Sequence, residues 1–296
     1  MLKDAAAREQ LERDGWVVIE FFTDAEFDRL VAIHDNLHQD AVDEGIFFSN
    51  RSPDEAYKAR VQELFREHYR SKLDELFVDA EWIDGVFIIK APGAGEFSNH
   101  QDWSLVDEAE HRSLGIWAPL LDVDAKNGTF CVLSGSHRFH ETYRSPTIPS
   151  IYARDDLDAL IAEHRQVLEV RRGQAVIFDH ALIHATTPNR SDRRRSAAFC
   201  GIKPRRAEMR FFWLDPQAER VEAFRIERDF LYRYDYQSRP EAESLGHLPW
   251  EPPEVTVEGL EDAILRHGSP EASFAAADLV ADQAAPRRPW WRRLFG

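Results

Sequence analysis

In the front third of the chain, apolar residues recur at helical spacing on an otherwise polar background. Asp4 to Arg13 fits a short amphipathic helix, and beyond Gly15 the run Trp16-Val17-Val18-Ile19 reads as a strand. Thr23-Asp24-Ala25-Glu26 has the form of a capping box. Phe27, Leu30, Val31, His34 and Leu37 follow at helical spacing and predict a helix to about Val42. Ser52-Pro53-Asp54-Glu55 repeats that logic, with proline at the first helical position of a second helix running to about Phe77.

Past residue 80 the rhythm changes to short apolar runs, at Val86 to Ile89, Leu114 to Leu121, Phe130 to Leu133, Val167 to Val170, Ala175 to Phe178 and Ala197 to Ile202. Explicit turns bound them: Pro92-Gly93-Ala94-Gly95, Asn127-Gly128, Ser134-Gly135-Ser136 and Arg172-Gly173. Several short strands without long intervening helices predict an antiparallel double-sheet barrel or jelly roll. Asp155 to His164 reads as a helical insertion. The expected organisation is one domain over 1–250, with a helical front at 1–80, a barrel core at 84–213 and a helical or extended closing segment at 214–250. After Glu251 the composition turns to Pro, Ala, Glu and Asp, with a short helix at Leu260 to Arg266, so 251–296 is expected to be a flexible tail. That tail ends in Arg287-Arg288-Pro289-Trp290-Trp291-Arg292-Arg293-Leu294-Phe295. Arginine with tryptophan suits docking to a protein or an anionic membrane surface, and equally suits packing back on the parent domain.

A chain of 296 residues with 43% hydrophobic content can bury a sizeable core. Its formal net charge of -16 repels polyanions and argues against nucleic acid as a partner. Cys131 and Cys200 lack metal-type spacing and read as buried free thiols of a reducing compartment. No signal-peptide pattern and no apolar run of about 18 residues appears, so the expectation is a cytoplasmic protein without a transmembrane segment.

The candidate chemistry starts at Asn99-His100-Gln101-Asp102-Trp103. On an extended strand, His100 and Asp102 leave the same face roughly 7 Å apart at Cα. With one later histidine they make a facial triad of two imidazoles and a carboxylate, which leaves coordination positions open on Fe(II). A His-x-Asp alone arises easily among 12 histidines, and its plain reading is a solvated pair. Here glycines precede it, strands surround it, and the segment Phe178 to Arg195 supplies both His184 and a downstream arginine. His180 stands four before His184, but the helical zinc motif needs glutamate where Ala181 stands, so His180 is a neighbour and not a ligand. His34 and His38 read as partly exposed helix histidines, His137 and His140 as surface or supporting residues, and Asp122 and Asp124 as turn residues.

From Asp14 to Trp213 the sequence resembles the phytanoyl-CoA dioxygenase family of Fe(II)- and 2-oxoglutarate-dependent oxygenases. The matching stretches are His100-Gln101-Asp102, then Ile116-Trp117-Ala118-Pro119-Leu120 through Asn127-Gly128 to Ser134-Gly135-Ser136-His137-Arg138, and finally His184, Thr186, Asn189 and Arg195. The resemblance implies a mainly β fold with flanking helices, a double-stranded β-helix or cupin-like jelly-roll barrel. It further implies Fe(II) on His100, Asp102 and His184, with 2-oxoglutarate chelating the metal and O2 taking the last position. The far carboxylate of 2-oxoglutarate would meet Arg195, whose guanidinium matches it bidentately, with Thr186 donating a hydroxyl and Trp117 bordering the site. Arg193 and Arg194 compete for that role by position, and Lys90 falls at a recurrent family position without an assigned part. The implied reaction is hydroxylation of an aliphatic carbon in a small molecule or acyl-type metabolite, releasing succinate and CO2. Asp102 favours it over halogenation, which in related enzymes goes with a small residue there.

Two rival readings remain at this level. One is a non-redox cupin-type enzyme using Zn(II) or Mn(II), which has no need of Arg195; the other is a docking protein built on an oxygenase-like barrel, which has no need of the four residues together. Substrate contacts are expected from the front helices, from Ser104 to Arg112 and from Tyr143 to Asp156.

Overall fold

Gly15 lets the first helix turn straight into the first strand. Its φ of 81° is open to glycine without strain, and a Cβ there would stand 2.4 Å from His137. The computed structural model describes residues 1–267 apart from 39–41, 43, 216, 218–219 and 237. Helix α1 (Ala5–Asp14) leads through Gly15 to β1 (Trp16–Glu20). The capping box at Thr23 forms as expected, the Thr23 N–H donating to the Glu26 carboxylate at 2.9 Å, and opens α2 (Asp24–Leu37). This helix ends at Leu37, short of Val42. After β2 (Ile46–Phe48), α3 (Glu55–Leu76) is capped by Asp54, which accepts from the Tyr57 N–H at 3.0 Å. Pro53 therefore precedes the cap instead of starting the helix.

The middle of the chain forms β3 (Ala80–Lys90), β4 (Phe97–His100), β5 (Leu114–Pro119), β6 (Phe130–Val132), α4 (Asp155–His164), β7 (Gln166–Val167), β8 (Gln174–Asp179), β9 (His184–Thr186) and β10 (Arg195–Pro204). Then come β11 (Arg210–Asp215), β12 (Arg220–Arg225), α5 (Phe230–Arg233), β13 (Glu243–Pro249) and α6 (Val257–His267). A six-stranded sheet runs β1-β8-β5-β10-β3-β2, and a four-stranded sheet runs β4-β9-β6-β7. All their pairings are antiparallel, which makes the two facing sheets a jelly roll.

Side-chain alternation assigns the two faces of the large sheet. Phe87, Ala198, Cys200 and Ile116 pack outward against Leu30 of α2 and Phe65, Tyr69 and Leu73 of α3. Trp117, Phe130, Val132, Val176, Phe178 and Ala197 fill the space between the sheets, with Ile88 and Phe199 against them. Both cysteines are buried and free.

The closing segment 214–250 supplies much of a third, three-stranded sheet, β11-β12-β13, which packs on Leu105 and Trp103. Helix α6 covers the expected Leu260 to Arg266 and buries Leu260, Ala263 and Ile264 against α4, so packed structure continues past residue 250. The expected docking segment Arg287 to Phe295 lies outside the described residues. No helix among the described residues is long and apolar enough to cross a membrane.

Candidate active site

Strands β4 and β9 are only 4 and 3 residues long, and their pairing sets His100 directly opposite His184. The two rings lie 4.1 Å apart between centroids. Each imidazole is oriented by the carbonyl two residues before it: His100 Nδ1 donates to Ser98 O at 2.8 Å and His184 Nδ1 to Leu182 O at 2.9 Å. With Nδ1 donating, Nε2 of each ring carries the lone pair that a metal binds. Burial, and for His100 the neighbouring His184, pushes their pKa down to about 3 for His100 and about 4 for His184. Both are neutral at pH 7, the form that ligates.

Asp102 completes the group from a different local structure than expected. The strand ends at His100, and Asp102 sits in the following loop instead of sharing a strand face with it. The turn of the chain brings Asp102 Oδ1 to 3.9 Å from both His100 Nε2 and His184 Nε2. One ligand atom from each residue lies within 4.8 Å of the others. Ligand atoms bound to one ion at about 2.0–2.2 Å stand about 3 Å apart on a facial triad, so the three groups need close in by only about 1–2 Å to hold a single ion. Arg144 ties this loop down: its Nε donates to Asp102 O at 2.8 Å while its two Nη atoms grip Glu108 at 2.8 and 2.6 Å.

On the interior face of the large sheet, Arg195 is the cross-strand partner of Lys90. Arg195 is 1% exposed, its Nε and Nη1 have no hydrogen-bond partner, and its Cζ stands 5.5 Å from the Trp117 ring. Burial lowers its pKa to about 10, which leaves it charged. Lys90 is wholly buried and donates to Thr186 Oγ1 at 2.8 Å and to Thr187 O at 2.6 Å. Burial first, and then the Arg195 charge, depress its pKa to about 6. Thr186 Oγ1 accepts from Lys90 and keeps its own O–H to give. Gly128 makes room for the pair, since at φ +93° a Cβ would come within 3.0 Å of Lys90 Cδ and 3.4 Å of Arg195 Nε. Among the described residues no carboxylate pairs with either cation. A buried guanidinium without an anion is costly by several kcal/mol and disfavours the charged form of Lys90 beside it, a cost that an anionic ligand removes.

Of the competing arginines, Arg193 is exposed and Arg194 half-buried. Asn189 serves the backbone: its Nδ2 donates to Lys90 O, Ala91 O and Arg193 O, which fastens the turn that leads into Arg195. Ser136 does the same before β9, its Oγ accepting from the Ile183 N–H at 2.8 Å. His180 stands outside the ligand group, its Nδ1 bonded to Ser113 Oγ at 2.9 Å. His34 and His38 are half-buried, with His38 Nε2 on Tyr57 Oη at 2.6 Å. Asp124 accepts from the Lys126 N–H, the turn role expected of it, whereas Asp122 accepts from the N–H of Arg172, fifty residues on.

A jelly roll with two histidines and a carboxylate converging beside a buried basic pocket defines a mononuclear non-haem metal oxygenase class. The phytanoyl-CoA dioxygenase (PhyH) family model matches residues 3–197, well over half of the chain, and the chain belongs to that family. It is an Fe(II)- and 2-oxoglutarate-dependent oxygenase in kind. Among solved structures it is similar to the non-heme alpha ketoglutarate dependent epimerase SnoN from nogalamycin biosynthesis, at 15% identity and a TM-score of 0.50, over 70% of this chain and 84% of that one. It is also similar to the carbocyclase SnoK from the same biosynthesis, at 17% identity and 0.49 over 70% and 86%. A third is HygX from Streptomyces hygroscopicus with nickel, 2-oxoglutarate and hygromycin B bound, at 15% and 0.46 over 68% and 87%. At such identities the likeness is one of fold.

Proposed function

We propose that the protein is a hydroxylase of a small molecule, with Fe(II) on His100, Asp102 and His184 and 2-oxoglutarate on Arg195, Lys90 and Thr186 beside Trp117. The observation that supports it best is the buried Lys90–Arg195 pair, which has no anion of its own and reaches, through Lys90, Thr186, two residues along β9 from the ligand His184. A zinc or manganese enzyme of cupin type has no use for that pair, nor has a docking protein. When bound, the metal and cosubstrate supply the oxidation that turns a C–H bond into an alcohol, with O2 consumed and succinate and CO2 released.

The chain's own residues do the rest. His100 and His184 present neutral Nε2 atoms held by backbone carbonyls, and Asp102 adds the anionic ligand that favours hydroxylation. Arg195 offers unpartnered N–H groups on Nε and Nη1 to an arriving carboxylate. Thr186 Oγ1 offers a third donor, and Trp117 closes the wall so that water is kept from the carboxylate.

Anaerobic addition of Fe(II) and 2-oxoglutarate tests the reading through the weak visible charge-transfer band of the chelate. The wild type should show the band, and aerobic turnover should give a product heavier by one oxygen atom. Arg195→Leu should weaken 2-oxoglutarate about 10- to 100-fold while sparing iron, whereas His184→Ala should lose iron. A metal-loaded wild type without the band sinks the oxygenase assignment.

A further inference from the structure

The strand face that carries Lys90 also carries Asp84. Residues 84, 86, 88 and 90 alternate onto one side of β3, and that side is the interior, because Ile88 packs into the cluster between the sheets while Phe87 packs outward. On β10 the partners are Arg195 opposite Lys90 and Gly201 opposite Asp84. Six residues of strand separate the two charged ends by roughly 20 Å. Lys90 belongs to the cosubstrate end, so Asp84 marks the other end of the barrel interior.

Asp84 is placed there at a cost. Asp84 is half-buried; its Oδ1 is shut off from solvent without a well-formed hydrogen bond, the Gly201 backbone is the one donor acting on the carboxyl, and Gly201 leaves just enough room for it, since a Cβ there would come within 2.6 Å of that oxygen. Burial first, and then the charge of Asp102, raise the Asp84 carboxyl to about 7. No cation pairs with it among the described residues. A valine in the same place would escape the penalty of about 1–3 kcal/mol for a buried polar atom without a partner.

Other polar and aromatic groups lie in its neighbourhood. Asp102 Oδ2 and His180 Nε2 are buried without partners, and the Asp102 charge acts on His180 as it does on Asp84. The Phe199 ring, two residues before Gly201 on the interior face, lies 6.2 Å from His180. Tyr236 is within reach of the Asp84 charge, and its ring stands 4.7 Å from Trp103, next in sequence to the ligand Asp102. Asp84 is thus an acceptor within reach of the carboxylate ligand and of an aromatic pair, and far from the cosubstrate cations.

We infer that Asp84 orients the substrate by accepting a hydrogen bond from a hydroxyl or amino group, on a substrate whose ring lies against Trp103 and Tyr236. The inference rests on the oxygenase reading above and names the substrate chemistry for it. Because a site built to accept a donor discriminates strongly against an analogue that lacks one, Asp84 is a specificity-determining residue, and an ionised carboxylate, which brings no donor, is disfavoured at this end of the barrel.

The test uses the full chain loaded anaerobically with Fe(II) and 2-oxoglutarate, titrated with cyclohexylamine, cyclohexanol and cyclohexanecarboxylate. Calorimetry reads probe affinity, and the chelate band reads the metal and cosubstrate sites. At least one donor probe should bind in preference to the carboxylate. Asp84→Ala should weaken that probe about 10-fold or more with the chelate band intact. Asp84→Asn keeps the side-chain shape and one acceptor: a hydroxyl donor should tolerate it, and an ammonium donor should not. The inference is overturned if neither donor probe binds the wild type, if the carboxylate binds best, or if both variants bind the donor probe as tightly as the wild type. A missing chelate band in the wild type would instead count against the oxygenase reading, so the two failures are distinct.

Discussion

Lys90 and Arg195 are neighbours across two strands, and their unequal acidity makes cosubstrate binding depend on pH. Arg195, lowered only to about 10, keeps its charge throughout the neutral range. Lys90, lowered to about 6, is mostly neutral at pH 7 in the empty pocket. A carboxylate arriving beside it favours the ammonium form and raises its pKa, so binding takes up a proton. Affinity for 2-oxoglutarate should therefore fall as pH rises above about 6, by up to about tenfold per unit, until the pKa of the bound state is reached. Lys90→Met should bind more weakly and with a flat profile, as measured by chelate-band titrations at pH 6, 7 and 8. Iron affinity should stay level over the same range on the histidine side, because His100 and His184 protonate only near 3 and 4. A flat wild-type profile for 2-oxoglutarate would remove Lys90 from the pocket. In the sequence, Arg195 is legible through its distance from His184. Lys90 and Asp84 are not, since a charge at the end of an apolar run reads as a side chain reaching for solvent.

The elements that deliver the ligands are the ones the hydrophobic pattern shows least. Strands β3, β5, β8 and β10 each carry an apolar run and were expected. Strands β4 and β9 are too short for a period and devote their inward positions to His100, His184 and Thr186. Their place follows only from the chemistry of those residues. Asp102 shows the opposite limit: its spacing from His100 correctly pairs the two, yet through a loop and not a strand. What fixes that loop is Arg144, 42 residues away in sequence, and no local pattern announces such a partner. Arg144→Ala would leave the Asp102 carbonyl without this donor and Glu108 with Ser104 Oγ in place of the fork. Losing a supporting contact of a metal ligand typically weakens metal binding 10- to 100-fold, and a loss of about that size is expected for Fe(II). Arg144→Lys, which can keep one of these bonds but not the fork, should fall between. Unchanged Fe(II) affinity in Arg144→Ala would show that the loop holds its shape without it.

Across the whole molecule, the metal site is braced by the far end of the described chain. Helix α6 places Leu260 and Ile264 in a cluster with Leu157, Leu160 and Ile161 of α4, and with Ile183, the residue before His184. Helix α4 in turn receives Asn99, the residue before His100, whose Nδ2 donates to Asp158 Oδ1 at 2.8 Å. Each ligand histidine thus has its chain neighbour anchored to the α4–α6 pair. The sequence hides this, because the acidic and proline-rich composition after Glu251 outweighs four apolar positions, Val257, Leu260, Ala263 and Ile264, at helical spacing. A chain ending at Thr256 would uncover both buried faces. Two side chains of this size contribute about 1.5–3 kcal/mol each, and in a protein of this size about 2–4 °C per kcal/mol, so Tm should fall on the order of 10 °C. The same truncation should also weaken Fe(II) binding at temperatures where the chain is still folded, since Ile183 and Asn99 lose their support. Calorimetry and anaerobic Fe(II) titration at low temperature separate the two effects. If Tm falls and iron affinity does not, the helix pair supports the fold alone, and β4 and β9 hold the histidines through their own pairing.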